Sequence, residues 1–454
     1  MNTPIIDFIR SYHASGSARL HMPGHKGQSF LGCEHLDITE ISGADSLYEA
    51  TGIIAESEKN ATALFGSGRT LYSTEGSSQC IRAMLHLAIM NRQAGTPPVV
   101  VAARNVHTAF VYAAALLDFE IVWLWPEEES RSICGCPISL QNLVETLDHL
   151  PTPPAAVYFT SPDYLGNLAE IAAIAEVCHS HRTLLAVDNA HGAYLHFLTS
   201  PSHPLDLGAD LCCDSAHKTL PVLTGGAYLH IAKNAPLKLQ EQARNAMALF
   251  GSTSPSYLTL ASLDLCNRYL ADCYTARLAE TIASLTDFRT RLSDAGWQIE
   301  DTDPLRLTIA APAGLTGTAL SERLRKGGIV CEYADPEFLV MMISTENSRT
   351  DLERVESLLG KNLAPAAVYP NLPLAKGERV LSVRQALFSP HEEVEIERSY
   401  GRICGAPTVA CPPAIPVAVS GERIGSEAIS LFHHYGNQTV AVLKLSLIHI
   451  SVKL

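Results

Sequence analysis

The chain has no apolar run able to cross a bilayer: its most apolar stretch, Thr108 to Pro126, is broken by Asp118 and Glu120 and reads as a helix followed by a strand. It does not open like a secretory precursor, because Met1-Asn2-Thr3-Pro4-Ile5-Ile6-Asp7 carries no basic segment ahead of an apolar one. It lacks the positive charge that suits a nucleic-acid partner. Its 33 Lys and Arg stand against 47 Asp and Glu, a formal charge of −14 that mildly favours a cationic small molecule. Its 12 cysteines lack the spacing of a disulfide framework or a zinc site. Cys212-Cys213 falls in a strand-like run, Cys134 and Cys136 are separated by one residue, and the others are scattered, so buried free thiols are expected. Cys178-His179-Ser180-His181 ends an alanine-rich helix, Leu168 to Val177, without a second ligand pair, and no metal is expected. There is no internal repeat. At 454 residues, 47% hydrophobic and 18% charged, the chain reads as a soluble cytoplasmic protein of more than one domain.

What the chain does contain is a series of short apolar runs, each ending in reactive side chains. Ala209 to Cys213 reads as a buried strand leading into Asp214-Ser215-Ala216-His217-Lys218-Thr219-Leu220-Pro221, and Gly225-Gly226 opens the next strand, Ala227 to Ile231. A lysine crowded by Ser215, His217 and Thr219 suits Schiff-base chemistry; the plainer reading is a surface lysine in a turn. Leu184 to Val187 ends in Asp188-Asn189-Ala190-His191-Gly192, a carboxylate where α/β sheets hold ligands. Asp188 either keeps the ring nitrogen of pyridoxal phosphate protonated or caps a helix. Ser77 and Ser78, entering the helix-forming stretch Cys80 to Met90, either bind the cofactor phosphate or belong to an ordinary capped helix. Val99 to Ala103 ends in Arg104-Asn105-Val106-His107, whose imidazole either lies on a planar cofactor or is structural.

Residues 1 to about 60 read as an arm with little regular pattern before a helix from Ile53 to Ala63. From about 70 to 265, strand and helix patterns alternate as a mostly parallel sheet with crossover helices requires. The amphipathic stretch Tyr257 to Leu292 leads into a smaller α+β unit. That unit holds Leu307-Thr308-Ile309, a helix from Thr318 to Lys326, the runs Ile329 to Glu332 and Leu339 to Met342, and a helix ending near Leu359. The Pro-rich segment Pro365 to Pro373 marks the next boundary, giving an expected division into 1–265, 266–365 and 366–454.

In their order, these motifs resemble the bacterial pyridoxal-phosphate-dependent ornithine/lysine/arginine decarboxylases. The most specific are Leu20-His21-Met22-Pro23-Gly24-His25-Lys26-Gly27 and Ser215 to Pro221. Asp37-Ile38-Thr39-Glu40, Glu75-Gly76-Ser77-Ser78, Ser161-Pro162-Asp163-Tyr164, Ser252 to Tyr257 and Pro412 to Pro416 add weight by their spacing. The resemblance implies fold type I: an α/β large domain with a mostly parallel sheet and helices on both faces, a small α+β domain and a C-terminal domain. It implies Lys218, His217, Asp188 and His107 as catalytic residues. Lys218 would carry the cofactor as a Schiff base, Asp188 would face the pyridinium nitrogen, and His107 would stack on the ring. Ser77, Ser78 and Ser215 would bind phosphate, with His217 beside them and His191 also against the cofactor. Ser252 or Thr253 would reach the phosphate of the neighbouring subunit in a homodimer.

The reaction so implied is decarboxylation of a basic amino acid within polyamine biosynthesis, arginine to agmatine ahead of lysine to cadaverine or ornithine to putrescine. Another reaction of the same cofactor, or a subunit without turnover, are the alternatives. Glu332 and Asp335 are candidates for the far end of the substrate. Several positions depart from the family pattern: Asn189 replaces a carboxylate, Glu75 an asparagine, Thr108 a common lysine, and Gly225 a polar residue. The start close to the His21 motif fits a short form without an N-terminal receiver-like domain, and large ring assemblies are not expected. Leu445 to Leu454 is unlike the sequence before it.

Overall fold

The apolar runs form one twisted seven-stranded sheet. Its strands are β1 (Arg69–Ser73), β2 (Val99–Ala103), β3 (Glu120–Leu124), β4 (Ala156–Thr160), β5 (Leu184–Asp188), β6 (Leu211–Asp214) and β7 (Ala227–Ile231), in the order β1-β7-β6-β5-β4-β2-β3. The neighbours from β3 through to β6 pair in parallel, and β7 alone runs against the rest. The central strands β2, β4 and β5 are short and almost continuously apolar because helices cover both faces. Alternate residues therefore serve separate cores. Val100, Ala102, Tyr158 and Ala186 pack under helices α3 (Gly76–Met90) and α4 (Thr108–Leu117), while Val101, Ala103, Val157 and Val187 pack against the helices Leu140–His149 and Ile171–Ser180. The computed structural model describes residues 1–127, 130–367, 369, 371–410 and 414–444.

The first residues depart from the expected irregular arm. A helix spans Pro4–Ala14, with Pro4 in its first turn and Ile5, Ile6 and Ile9 buried. Two of its unpaired first-turn N–H groups, from Ile5 and Ile6, donate to Asp264 Oδ2 at 3.0 and 3.1 Å. The helix expected from Ile53 is present as Ile53–Leu64. The amphipathic stretch becomes the helices Tyr257–Tyr269 and Thr275–Asp294, joined by a π-helical turn.

A second, antiparallel sheet has the order β10-β11-β9-β8, from β8 (Gln298–Ile299), β9 (Arg306–Ala310), β10 (Tyr333–Ala334) and β11 (Phe338–Met342). Ile329 to Glu332, expected as a strand, is instead a loop. Gly328 turns left-handed (φ +79°) after the helix Gly317–Lys326, Ile329 N–H returns to Leu324 O, and Val330 is 88% exposed. Further along, the paired strands His391–Glu395 and Thr439–Leu443 and the helix Ser426–His434 share a core that includes Ile396, Phe432 and Val442. Leu445 to Leu454 and Pro412-Pro413 lie outside the described residues, as do two positions of the Pro365 to Pro373 segment, 368 and 370. Cys80, Cys134, Cys178, Cys212, Cys213 and Cys266 are buried free thiols. Among the described residues, no helix is long and apolar enough to cross a membrane.

Candidate active site

Because all strands but β7 point the same way, the loops after β1, β2, β4, β5 and β6 converge at one edge of the sheet. There they surround a cavity of about 390 Å³ whose lining includes Ser77, Ser78, His107, Thr160, Tyr164, Asp188, His191, Ser215, His217 and Lys218. Eight residues singled out in the sequence thus meet in one chamber. Ala414 and Ile415 close it from the far end of the chain. They are anchored by Thr108 N–H on Ala414 O (3.0 Å) and by Arg104, which donates to Pro416 O and Val417 O at 2.9 and 3.1 Å.

Lys218 lies in the one-turn helix Ala216–Thr219 directly after β6, and its Nζ is 2.9 Å from His191 Nε2. It is not a surface turn lysine. Burial lowers its pKa, against the opposing pull of Asp188 and Glu332. Behind His191 stands Arg306, 2% exposed, with Nη2 2.9 Å from His191 Nδ1 and Nε 3.4 Å from Asp303 Oδ2. Asp188, 3% exposed at the end of β5, accepts from Tyr158 Oη at 3.2 Å and from Ala190 N–H at 3.1 Å. No helix starts on it: the following 3-10 turn, Ala193–Phe197, begins after Gly192.

His107 caps α4, its Nδ1 accepting Ala109 N–H at 3.1 Å, so a neutral ring carries its proton on Nε2. Burial lowers its pKa. His217 has the opposite tautomer. Its Nδ1–H donates to Gly226 O at 3.0 Å, leaving a lone pair on Nε2, and burial lowers its pKa too. Ser77 and Ser78 lie in the first turn of α3, which has no side-chain cap; Gly76 N–H is taken by Gly225 O, and the amides of Ser77 and Ser78 remain for a ligand.

Ser252 and Thr253 do not join this chamber. Both are exposed, and Ser252 N–H donates to the carboxylate of Glu75 on the rim. Glu75 is thereby engaged with the Ser252 backbone. Gly225 is explained by its backbone: φ is +95°, its carbonyl accepts Gly76 N–H at 2.7 Å, and an added Cβ would lie 2.7 Å from Thr74 O. Asn189 points away from the chamber. Its Nδ2 donates at 2.7 Å to Asp214 Oδ1, and Asp214 Oδ2 also accepts from His203 Nε2 (3.0 Å) and His230 Nε2 (3.1 Å), all fully buried.

His179 and His181 turn to separate carboxylates, Asp210 at 3.0 Å and Asp148 at 3.1 Å. Asp335 faces Tyr333 Oη (2.8 Å) rather than the chamber, whereas Glu332 accepts at 2.5 Å from Tyr164 Oη, whose ring does line it. Sequence reasoning missed Arg306, Tyr158 and Asp214 as site neighbours. The apolar run that carries Asp214 into the core beside Cys212 and Cys213, buried along its whole length, was a readable signal; the approach of Arg306 from a distant strand was not.

The Orn/Lys/Arg decarboxylase major-domain family matches residues 3–311. The chain is 28% identical to YaaO of Bacillus subtilis, covering 94% of this chain and 93% of that one. It is 27% identical to an arginine decarboxylase of Halalkalibacterium halodurans, covering 93% and 91%. Its fold matches the lysine decarboxylase LdcF of Francisella novicida with a TM-score of 0.80, at 17% identity, over 97% of this chain and 81% of that one.

Proposed function

The chain belongs to the Orn/Lys/Arg decarboxylase family, and from that premise we propose that it converts arginine to agmatine in the cavity around Lys218. It is a pyridoxal-phosphate-dependent decarboxylase of fold type I acting on a basic amino acid. Arginine is preferred over lysine and ornithine because the relative from Halalkalibacterium halodurans, similar over nearly its whole length, is an arginine decarboxylase.

The chamber's donor set fits the cofactor. One wall offers the uncapped amides of α3 with Ser77, Ser78 and Ser215 for a phosphate. Asp188 supplies a fixed carboxylate, Lys218 an amine, and Thr160 a buried hydroxyl with no partner among the described residues. Bound pyridoxal phosphate supplies an aldehyde for amines and a ring that accepts electrons from a bond breaking at Cα. In our reading Asp188, oriented by Tyr158 and Ala190 N–H, holds the proton on the ring nitrogen. His107, in the cavity lining, would stack on the ring. Lys218 Nζ returns a proton to Cα, with His217 Nε2 as a second carrier. No arginine is among the described residues lining the cavity, and Arg306 is engaged with Asp303 and His191. A substrate carboxylate there would be desolvated rather than clamped, which favours its loss as carbon dioxide.

A homodimer is part of the proposal. It is supported by the exposed Ser252 and Thr253 at the rim and by an N-terminal arm that leaves Leu20, Phe30 and Leu31 at 94%, 79% and 89% exposure. The test offers arginine, lysine and ornithine separately to the cofactor-loaded protein and identifies gas and amine by mass spectrometry. Agmatine as the dominant product is expected. Cadaverine or putrescine would reassign the substrate, and no carbon dioxide from any of the three would refute decarboxylation.

A further inference from the structure

We infer that Arg306 acts through His191 to present Lys218 as a free amine, which makes Arg306 a positioning residue for covalent capture of the cofactor. The inference rests on the reading of Lys218 as the cofactor-linking lysine. Arg306 Nη2 lies 2.9 Å from His191 Nδ1, and a guanidinium can only donate, so Nδ1 is an acceptor. A neutral imidazole has a single N–H, which must then sit on Nε2, 2.9 Å from Lys218 Nζ. An imidazole N–H facing an ammonium would set donor against donor. The contact therefore requires the lone pair of an uncharged amine. That lone pair is the nucleophile: Nζ forms a double bond to the cofactor's aldehyde carbon, and the carbonyl oxygen leaves with both amine protons as water.

The surroundings favour the same state. Burial, then the charge of Arg306, keep His191 well below its ordinary pKa, so its ring is neutral at neutral pH. The groups facing the pair are Asp188 from β5, Cys213 from β6, His107 at the start of α4, Glu332 from the loop before β10, Tyr164, whose ring is 5.0 Å from that of His191, and His217. Asp188 and Glu332 oppose the free amine, and Arg306 and burial support it. Arg306 is fixed in turn by Asp303, which accepts Leu305 N–H at 3.1 Å and the hydroxyl of Tyr194.

The first test uses cofactor-free wild-type protein with ¹⁵N-labelled histidine, the His191 signals being assigned by their loss in His191→Gln. Between about pH 6 and 8, Nδ1 should be unprotonated and Nε2 protonated. A cationic ring or a proton on Nδ1 would overturn the inference. The second test follows the rate at which cofactor-free protein captures pyridoxal phosphate, by visible absorbance, as a function of pH. Arg306→Met should raise the midpoint by about one pH unit and slow capture about tenfold at pH values well below the wild-type midpoint, and Arg306→Lys should recover most of the rate. Asp303→Asn with Arg306→Met removes the buried pair together and serves if the single variant does not fold. An unchanged midpoint in the folded variant would refute the role of Arg306. Covalent capture by Lys218→Ala, trapped by borohydride and read by mass, would instead sink the assignment of Lys218.

Discussion

Replacing Asp214 by asparagine would cut the buried knot that joins the ends of β5 and β6. The carboxylate is fully buried and accepts from three nitrogen donors, Asn189 Nδ2 at 2.7 Å, His203 Nε2 at 3.0 Å and His230 Nε2 at 3.1 Å, beside the Cys212 thiol at 3.7 Å. His203 Nδ1 accepts Leu205 N–H at 3.3 Å, which fixes its proton on the nitrogen facing Asp214. An asparagine keeps one acceptor oxygen and turns an NH₂ towards a ring N–H, so at least one buried donor loses its partner. A lost hydrogen bond to a charged group is about 1.5–3 kcal/mol, and breaking a buried ionic network by changing one member is about 3–5 kcal/mol. With roughly 2 °C per kcal/mol for a long chain, the thermal midpoint should fall by about 6–10 °C. Cofactor affinity should fall as well, because Asp214 precedes Ser215 and Asn189 follows Asp188. Burial alone would raise the Asp214 pKa, but the facing His203 and His230 hold it well below the carboxylate range. Its contribution is therefore present above an unfolded value near 4 and lost only in strong acid. Circular dichroism melts and absorbance titration with pyridoxal phosphate read both effects. A variant melting within about 2 °C of wild type, with unchanged affinity, would refute the reasoning.

Gly225→Ala places a Cβ 2.7 Å from Thr74 O at φ +95°, a strain of about 1–3 kcal/mol beside the start of α3; cofactor affinity should drop about tenfold or more, measured by absorbance titration. Glu332→Gln removes a charge bonded to Tyr164 at the cavity wall; the KM for the basic amino acid should rise about tenfold with kcat nearly unchanged, and equal kinetics would exclude Glu332 from recognition. Burial raises the Asp264 pKa to about 6, so the stabilisation from its protonated form is full below an unfolded value near 4 and lost as pH rises through about 6. Proteolysis of the helix Pro4–Ala14 should accordingly be faster at about pH 8 than at about pH 5, and Asp264→Asn should flatten that dependence.

The sheet was legible because each strand is a short apolar run with a polar turn after it: Val99–Ala103 and Ala227–Ile231 appear with the expected bounds. So was the meeting of Lys218, Asp188, His107 and the serines, since parallel strands deliver their ends to one edge. The first helix was missed although Ile5, Ile6 and Ile9 have helical spacing, because a single apolar stripe over 11 residues gains its weight from the Asp264 contact far along the chain. The loop at Ile329 was misread because its apolar residues suggest a strand while Gly327-Gly328 ends the preceding helix across them. Arg306 and Glu332 could not be placed, since their approach to Lys218 depends on how the second sheet sits against the first.

The bond from Ile5 N–H to Asp264 spans 259 residues of chain. During synthesis, the first helix is therefore made long before its acceptor exists, and must wait while every strand of the large sheet leaves the ribosome. Its apolar stripe can meet the helix Ile53–Leu64 early, but the surface offered by the helix Tyr257–Tyr269 is missing for that interval. Docking of the N-terminus on Asp264 is thus a late, high-contact-order event that can begin only once every strand of the large sheet has been made.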